Sequence, residues 1–360
     1  MIYFFVFFVS YALFLLSDKS KQYLRYLYAG LGVFVLCLLS GLRDISVGTD
    51  VSDYGLDTYY SAINNSLYEH LIYLNRSDAP LFNILVWVFA NVFNSFNIVL
   101  FAIQAASIIP FYVIANKILK GNVSFCMLMY MLLIYPITLN LLKQGIAISF
   151  IIVAGYYALN KKLFPYIFFL ICAIGFHLTA IIGILFYPFS VFLQKYKNVS
   201  KKIFCIYVLV FGSIFFFGES LIYLIAPLRD AYSYQINSIG KGSLNISMLL
   251  LLFIFLASNF FVFNKNKKMD MRDKYFFYII LAGFISCQFD LISESLSRFG
   301  YYGLIFLPIY LKMMIDKSNK SSILFQYIII ILVIFIFIYS IIINHNQEIY
   351  PYYSKILGIY

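Results

Sequence analysis

The sequence predicts an all-α, polytopic integral membrane protein with about twelve transmembrane helices, and three observations carry that prediction. Apolar runs of about 15 to 21 residues recur along the whole chain, separated by short polar links. Of 360 residues, 63% are hydrophobic and only 11% charged, with mean hydropathy +0.89. An ordinary soluble domain is near half apolar and a quarter charged. Finally, runs such as Tyr327 to Ile343 do not alternate, as the strands of a membrane barrel must. Helices satisfy their own backbone groups in lipid, so uninterrupted apolar runs read as helices.

Taken in order, the spans cover residues 2–16, 27–42, 97–115, 123–140, 145–159, 163–176, 178–193, 203–218, 245–263, 275–290, 299–313 and 323–343. Several fall short of the ~20 residues that cross a bilayer, so their helices extend into the flanks. The first run lacks a basic leading segment and reads as a retained span, not a cleaved signal. Residues 80–93 are apolar but short, which suits a re-entrant or interfacial helix. Sides follow from lysine clusters at 19–25, 117–120, 161–162, 195–202, 265–274 and 312–320. Placing these in the cytoplasm gives 19 Lys or Arg against 4 Asp or Glu inside, and 7 against 11 outside. That bias puts both termini outside with an even number of crossings. Two outer loops are then long, 43–79 and 219–244; the first is acidic and rich in tyrosine.

The net charge of +11 reflects topology, because most basic residues sit in links between spans; no nucleic-acid partner is expected. All five cysteines lie in apolar runs without metal-ligand or disulfide spacing. No P-loop, GxSxG, HExxH or calcium-loop pattern is present, so the expected metal and cofactor complement is none.

Candidate chemistry concentrates on the predicted outer face. The organising stretch is 40–60, SGLRDISVGTDVSDYGLDTYY. Asp50, Asp53 and Asp57 are spaced so that a regular helix presents them on one face with Tyr54. Arg43 ends the second span, either as an interfacial anchor or as a bidentate grip on phosphate. Lys143 and Gln144 open the fifth span, where topology gives no reason for a cation. His177 stands between two apolar runs, a hydrogen-bonded core histidine or a general acid or base. Asp290, Glu294 and Arg298 are four residues apart, an ion-pair ladder or a device that holds Arg298 toward a cavity. Arg229 with Asp230 is less specific, and His70 and His345 are expected to be solvent-exposed. Arg43, Lys143, His177 and Arg298 come from four distant stretches yet share one predicted side, which favours an outer cavity for an anionic substrate.

These residues lie in segments that resemble a known family. GLRDISVGTDVSDY looks like the GLR…VGTD…Y signature of EpsG-like, Wzy-type polysaccharide polymerases. APLFNIL, LLKQGIAISFIIVAGYYAL followed by a lysine pair, FHLTAIIGILFYP and SRFGYYGLIFLPIYL continue the resemblance in order over residues 40 to 310. Lys143 stands where the family usually has arginine; it keeps the charge but loses the planar fork.

The resemblance implies a GT-C-like enzyme of the bacterial inner membrane with its active face periplasmic. Such enzymes join oligosaccharide repeat units carried on undecaprenyl pyrophosphate, in O-antigen, lipopolysaccharide, capsule or exopolysaccharide synthesis. A chain-length regulator and a flippase of the same pathway are the implied protein partners. The expected reaction is metal-independent transfer with inversion. Arg43, Lys143, Gln144 and Arg298 are expected on the pyrophosphate, His177, Asp50 or Asp53 as the base, and Tyr54, Arg229, Asp290 and Glu294 in support. The alternatives are a ligase using the same donor, a flippase, or a non-catalytic scaffold.

Overall fold

A computed structural model describes residues 2–73, 79–195, 213, 243–263, 268–318 and 322–359. Among these the chain is helical, and its only extended pairing is an isolated bridge between Ser354 and Ile359. The predicted span 203–218 apart from Ser213, most of the loop 219–244, Cys205 and Arg229 with Asp230 lie outside the described residues.

Eight helices of the described residues are long and apolar enough to cross a bilayer. The first two, α1 (Ile2–Lys19) and α2 (Gln22–Gly41), form a hairpin whose turn is closed by Ser17 Oγ donating to the Arg25 carbonyl at 2.9 Å. The first long loop itself contains α3 (Leu56–Asn64) and α4 (Leu67–Tyr73), and α5 (Pro80–Phe93) follows it. The last of these is a 14-residue helix packed on α3 and on α6 (Phe96–Leu119).

At the centre lies α9 (Leu142–Leu159), with 72% of its membrane-length window buried, against 28% for the peripheral segment Leu178–Lys195. Small residues make that burial possible: Gly145, Ala147, Ser149, Ala154, Gly155 and Ala158 are all buried on it. It packs on α6 and on the returning α10 (Leu163–Phe176). Small residues bring helix backbones close where lipid offers no hydrophobic drive to association.

Three predicted spans are short or interrupted. The run 123–140 divides into α7 (Ser124–Leu133) and α8 (Tyr135–Asn140), because Pro136 cannot donate to the carbonyl one turn back. The run 299–313 divides into a short turn, Tyr301–Leu304, and the helix Leu307–Lys317, again with a proline in the first turn of the second piece. The run 163–176 is helical but only 14 residues long.

The bundle has two chemically different ends. At one, Asp18 caps α7 from a distance, accepting from the Val123 and Ser124 amides at 2.9 Å each. At the other, Tyr3 donates to the Ile349 carbonyl at 2.6 Å and Tyr352 to the Leu39 carbonyl at 2.9 Å. Helix α1 spans the two, and its 18 residues at 1.5 Å each separate them by about 27 Å. The C-terminal residues 344–359 fold back over the end that holds the 43–57 loop, with the Asp44 and Gly48 amides bonded to the Tyr353 and Glu348 carbonyls.

Candidate functional site

The loop after α2 is shaped by Gly48, whose φ of +90° excludes a side chain without strain. A Cβ there would also meet Asn140 Cα and Oδ1 and the Leu139 carbonyl, each at 3.4 Å. This close approach lets the Asp50 amide donate to Asn140 Oδ1 at 3.3 Å. The tail fixes the other side, with Gly48 N donating to the Glu348 carbonyl at 2.9 Å and Thr49 Oγ1 to the Glu348 carboxylate at 2.9 Å.

Asp50 is turned inward. Its Oδ2 accepts from the Tyr54 hydroxyl at 2.5 Å and from the Leu142 amide at 3.1 Å. The carboxylate therefore caps the first turn of α9, where free amides and the helix dipole favour negative charge. Burial nevertheless raises the Asp50 pKa above the ordinary carboxylate value, with the Tyr54 hydrogen bond and the Arg298 charge opposing it. The expected single face of acids does not form. Residues Val51–Gly55 make a π-helical turn, which shifts the helical phase of Asp50 relative to the later acids, and Asp53 and Asp57 remain exposed.

Lys143 and Gln144 occupy the first turn of α9, next to the Asp50 cap. The Lys143 ammonium lies 4.1 Å from the centre of the Tyr54 ring and 5.7 Å from that of Phe82. Gln144 is buried, and its amide donates to the Arg298 carbonyl at 2.9 Å. Arg298 in turn pairs with Glu294 at 2.6 Å. Burial acts to lower the Arg298 pKa, but the Glu294 carboxylate outweighs it and holds the value above the ordinary one.

Arg298 reaches this position because its segment crosses Met271–Cys287 at very short range. A Cβ on Gly300 would stand 2.5 Å from the Gly283 carbonyl, and one on Gly303 2.5 Å from that of Ile279. The same turn presents Tyr302, whose hydroxyl contacts the Gln144 side chain and lies 2.8 Å from Thr179 Oγ1. Thr179 is bonded to His177 Nδ1 at 2.6 Å, with the Tyr302 hydroxyl 3.5 Å from the same nitrogen. His177 ends α10 in an extended conformation, which directs the chain into the 3₁₀ segment Leu178–Leu185. A polar chain thus runs from His177 through Thr179, Tyr302 and Gln144 to Arg298, beside Lys143, Tyr54 and Asp50.

Arg43 is set apart from this chain. Its side chain is inside the protein, 3% exposed, and Nη1 donates to the Leu139 carbonyl. Nε and Nη2 are buried without a partner among the described residues. Burial pushes its pKa down to about 10, while the phenols of Tyr135, Tyr3 and Tyr352 draw it back up. In this position Arg43 holds the carbonyl that ends α8 and so props the corner carrying Asn140 and Leu142.

The remaining sequence candidates divide. Asp290 and Glu294 line a cavity on the far side of Arg298. His345 is exposed, as expected. His70 corrects the expectation of exposure: it is fully buried between Ser61 Oγ at 3.0 Å and the Asn83 carbonyl at 3.3 Å. The loop helices α3 to α5 fold over it, so a polar-looking stretch becomes a small core.

Sequence reasoning did not single out Tyr302, Thr179, Asn140 or Glu348. The first two carried a signal, since Tyr302 is four residues from Arg298 and Thr179 two from His177. Asn140 and Glu348 act through loop contacts that leave no periodic trace. No curated protein and no solved structure matches the chain. A family model described as the EpsG family does match, over residues 26–354. That match covers all but the start of α2, every described helix after it and the residues of the site, and it agrees with the motif resemblance: the chain belongs to the EpsG family.

Proposed function

We propose that this protein is a membrane glycosyltransferase that polymerises oligosaccharide repeat units carried on undecaprenyl pyrophosphate. One observation carries the reading. Residues from the first loop, the start of α9, the end of α10 and the 298–302 turn converge as a basic and hydrogen-bonding cluster at the end opposite the lysine clusters. The positive-inside rule favours a periplasmic placement of that end, and membership of the EpsG family supports lipid-linked glycan as the substrate class. A GT-C-like architecture of about twelve crossings, with the short and interrupted runs completing the eight long helices, belongs to the same proposal.

In this reading Lys143, Gln144, Arg298 and the dipole of α9 take the pyrophosphate of the donor. The bond between the anomeric carbon and the pyrophosphate oxygen breaks as the acceptor hydroxyl oxygen bonds to that carbon from the opposite face. Negative charge moves onto lipid pyrophosphate, where fixed cations stabilise it. The hydroxyl proton passes to His177, whose Nδ1 is oriented by Thr179 and Tyr302. Asp50 is the alternative base, but its two hydrogen bonds suit it better to holding α9 in place. Exposed Asp53 is in reserve. Arg43 acts as a positioning residue, through the Leu139 carbonyl.

The test is chain extension by purified protein in detergent with authentic lipid-linked repeat units, resolved by length on a gel. A ladder on the carrier lipid, lost in Arg298→Ala and His177→Ala, is the expected result. Folded protein that gives no ladder, or transfers glycan only to a different acceptor, overturns the proposal. Activity abolished by EDTA and restored by a divalent cation would overturn its metal-independent form.

A further inference from the structure

A second polar region lies across the Glu294–Arg298 pair from the basic cluster. It is a cavity of about 210 Å³, well above the roughly 10–15 Å³ of such space that one water needs, so it admits a group much larger than water. Polar lining comes from Asp290, Ser297, Tyr301, Ser340, Asn346 and Gln347. Apolar lining comes from Leu133, Pro136, Leu251, Phe337 and Ile341.

Two features make this more than a gap between helices. The helix interruption around Ile134 and Pro136 and the change from α-helix to π-helix at Ile338–Ile343 both border it. Irregular backbone at such depth is tolerated where it lines a cavity, and π-turns recur at functional positions. In addition, Gln347 donates to the Tyr301 hydroxyl at 3.3 Å while its own Oε1 is buried without a partner among the described residues. A buried acceptor of this kind calls for a donor from a ligand or water.

The wall chemistry selects the ligand class. A phosphate is disfavoured, because the lining holds two carboxylates, and Arg298 across the border is engaged by Glu294. A metal ion would need further ligands, and no group of three His, Cys, Asp or Glu side chains forms among the described residues. An acyl or isoprenoid chain would leave the amides and hydroxyls of the polar lining unpaired. A pyranose fits this mixed lining: its hydroxyls donate and accept, and its C–H face packs on apolar and aromatic surface.

We infer that this cavity is a saccharide subsite, holding one neutral sugar ring beside the pyrophosphate cluster. The inference rests on the polymerase reading, and it separates the site into a basic half for the lipid-linked pyrophosphate and an uncharged-sugar half. Asp290 and Gln347 hold the ring through its hydroxyls, and Glu294, shared by both halves, ties ring placement to Arg298.

The experiment measures binding of a lipid-free oligosaccharide, released by mild acid from the host strain's own polymer, to full-length protein in detergent. Saturation-transfer NMR reports which sugar is in contact. The expected result is binding that weakens about tenfold in Gln347→Leu and in Asp290→Asn, as for loss of a buried hydrogen bond to a charged or amide group, and persists in Arg298→Ala. Ser340→Leu, which fills the cavity from the π-helical turn, should abolish binding, with thermal unfolding checking that each variant folds. Unchanged binding in all three cavity variants, or loss only in Arg298→Ala, overturns the subsite. If no oligosaccharide binds while the wild-type protein still builds a ladder, the subsite fails and the polymerase stands. If neither binding nor ladder is seen, both fail.

Discussion

At the lysine-rich end, Asp18 accepts two backbone amides at 2.9 Å, Lys312 meets Asp316 at 2.5 Å, and Lys317 meets Asp273 at 2.5 Å and Asp270 at 3.0 Å. At the opposite end Arg298 meets Glu294 at 2.6 Å, but Arg43 keeps two buried nitrogens unpartnered among the described residues, Lys143 rests on aromatic rings, and Asp50 is bonded by neutral donors. The same residue types serve different purposes. Lys317 fastens its own helix to the start of Met271–Cys287, while Lys312 and Asp316 pair within one helix. Where the neighbours are rings, hydroxyls, amides and carbonyls, charge is held in place, and the proposed function turns its field toward the substrate. Mutations at the two ends should therefore separate stability from activity.

The largest effect is expected at the site end. Arg298→Ala and Lys143→Ala should each slow chain extension by about 10²–10³-fold, the scale for removing a stabiliser of developing charge. Thermal unfolding in detergent should scarcely move, since each is partly exposed. A large drop in unfolding temperature with normal activity in the surviving fraction would reverse the comparison.

The converse is Asp273→Ala. Asp273 is fully buried, pairs with Lys317 and completes a capping box with Asp270 at the start of Met271–Cys287. Breaking a buried pair and a cap together should cost about 3 kcal/mol. Unfolding temperature should fall while extension per folded molecule is unchanged. Loss of catalysis without loss of stability would place chemistry at the lysine end.

The contrast also explains what is legible in the sequence. Long apolar runs identify helices by composition alone, so eight spans are readable. The position of Pro136 is visible, but whether a proline kinks or divides a run depends on what packs around it. Lys143, Gln144, His177 and Arg298 stand out because each is polar at the edge of an apolar run, and the structure gathers them. Arg43 stands out equally, yet it is drawn inside among tyrosines from α1, α8 and the tail. No local pattern announces that a terminal segment some 300 residues away will cover it. The acid triplet fails for a different reason: regular helical spacing does not hold where the backbone takes a π-turn.

A finer test addresses Asp50. Its folded pKa is raised, so the buried carboxylate costs stability as pH rises from the ordinary carboxylate range through the raised value, and this cost is relieved on acidification. Tyr54→Phe deletes a hydrogen bond that favours the ionised form, and the pKa should climb further. The acid limb of the extension rate should move up by about one pH unit, equivalent to the loss of one such bond at ~1.4 kcal/mol. An unmoved limb would show that Asp50 ionisation does not control the geometry of α9.

The smallest expected effect sharpens the comparison within one end. His70 is buried but satisfied, unlike Arg43, because Nε2–H faces the Asn83 carbonyl and Nδ1 can accept from Ser61. That arrangement is the neutral imidazole, and burial accordingly lowers the His70 pKa below its usual 6.5. The unfolded chain then binds the proton first, so stability conferred by His70 is complete above that value and declines as pH falls below it. His70→Gln should cost about 1 kcal/mol at pH 7.5, the worth of an ordinary hydrogen bond. At pH 5 the gap to the wild-type protein should narrow, because only the histidine incurs the proton penalty. Unfolding temperatures of the two proteins at both pH values decide it. A gap that widens in acid would mean that the loop core holds an imidazolium, and His70 would join Arg43 as a buried cation waiting for a counter-charge.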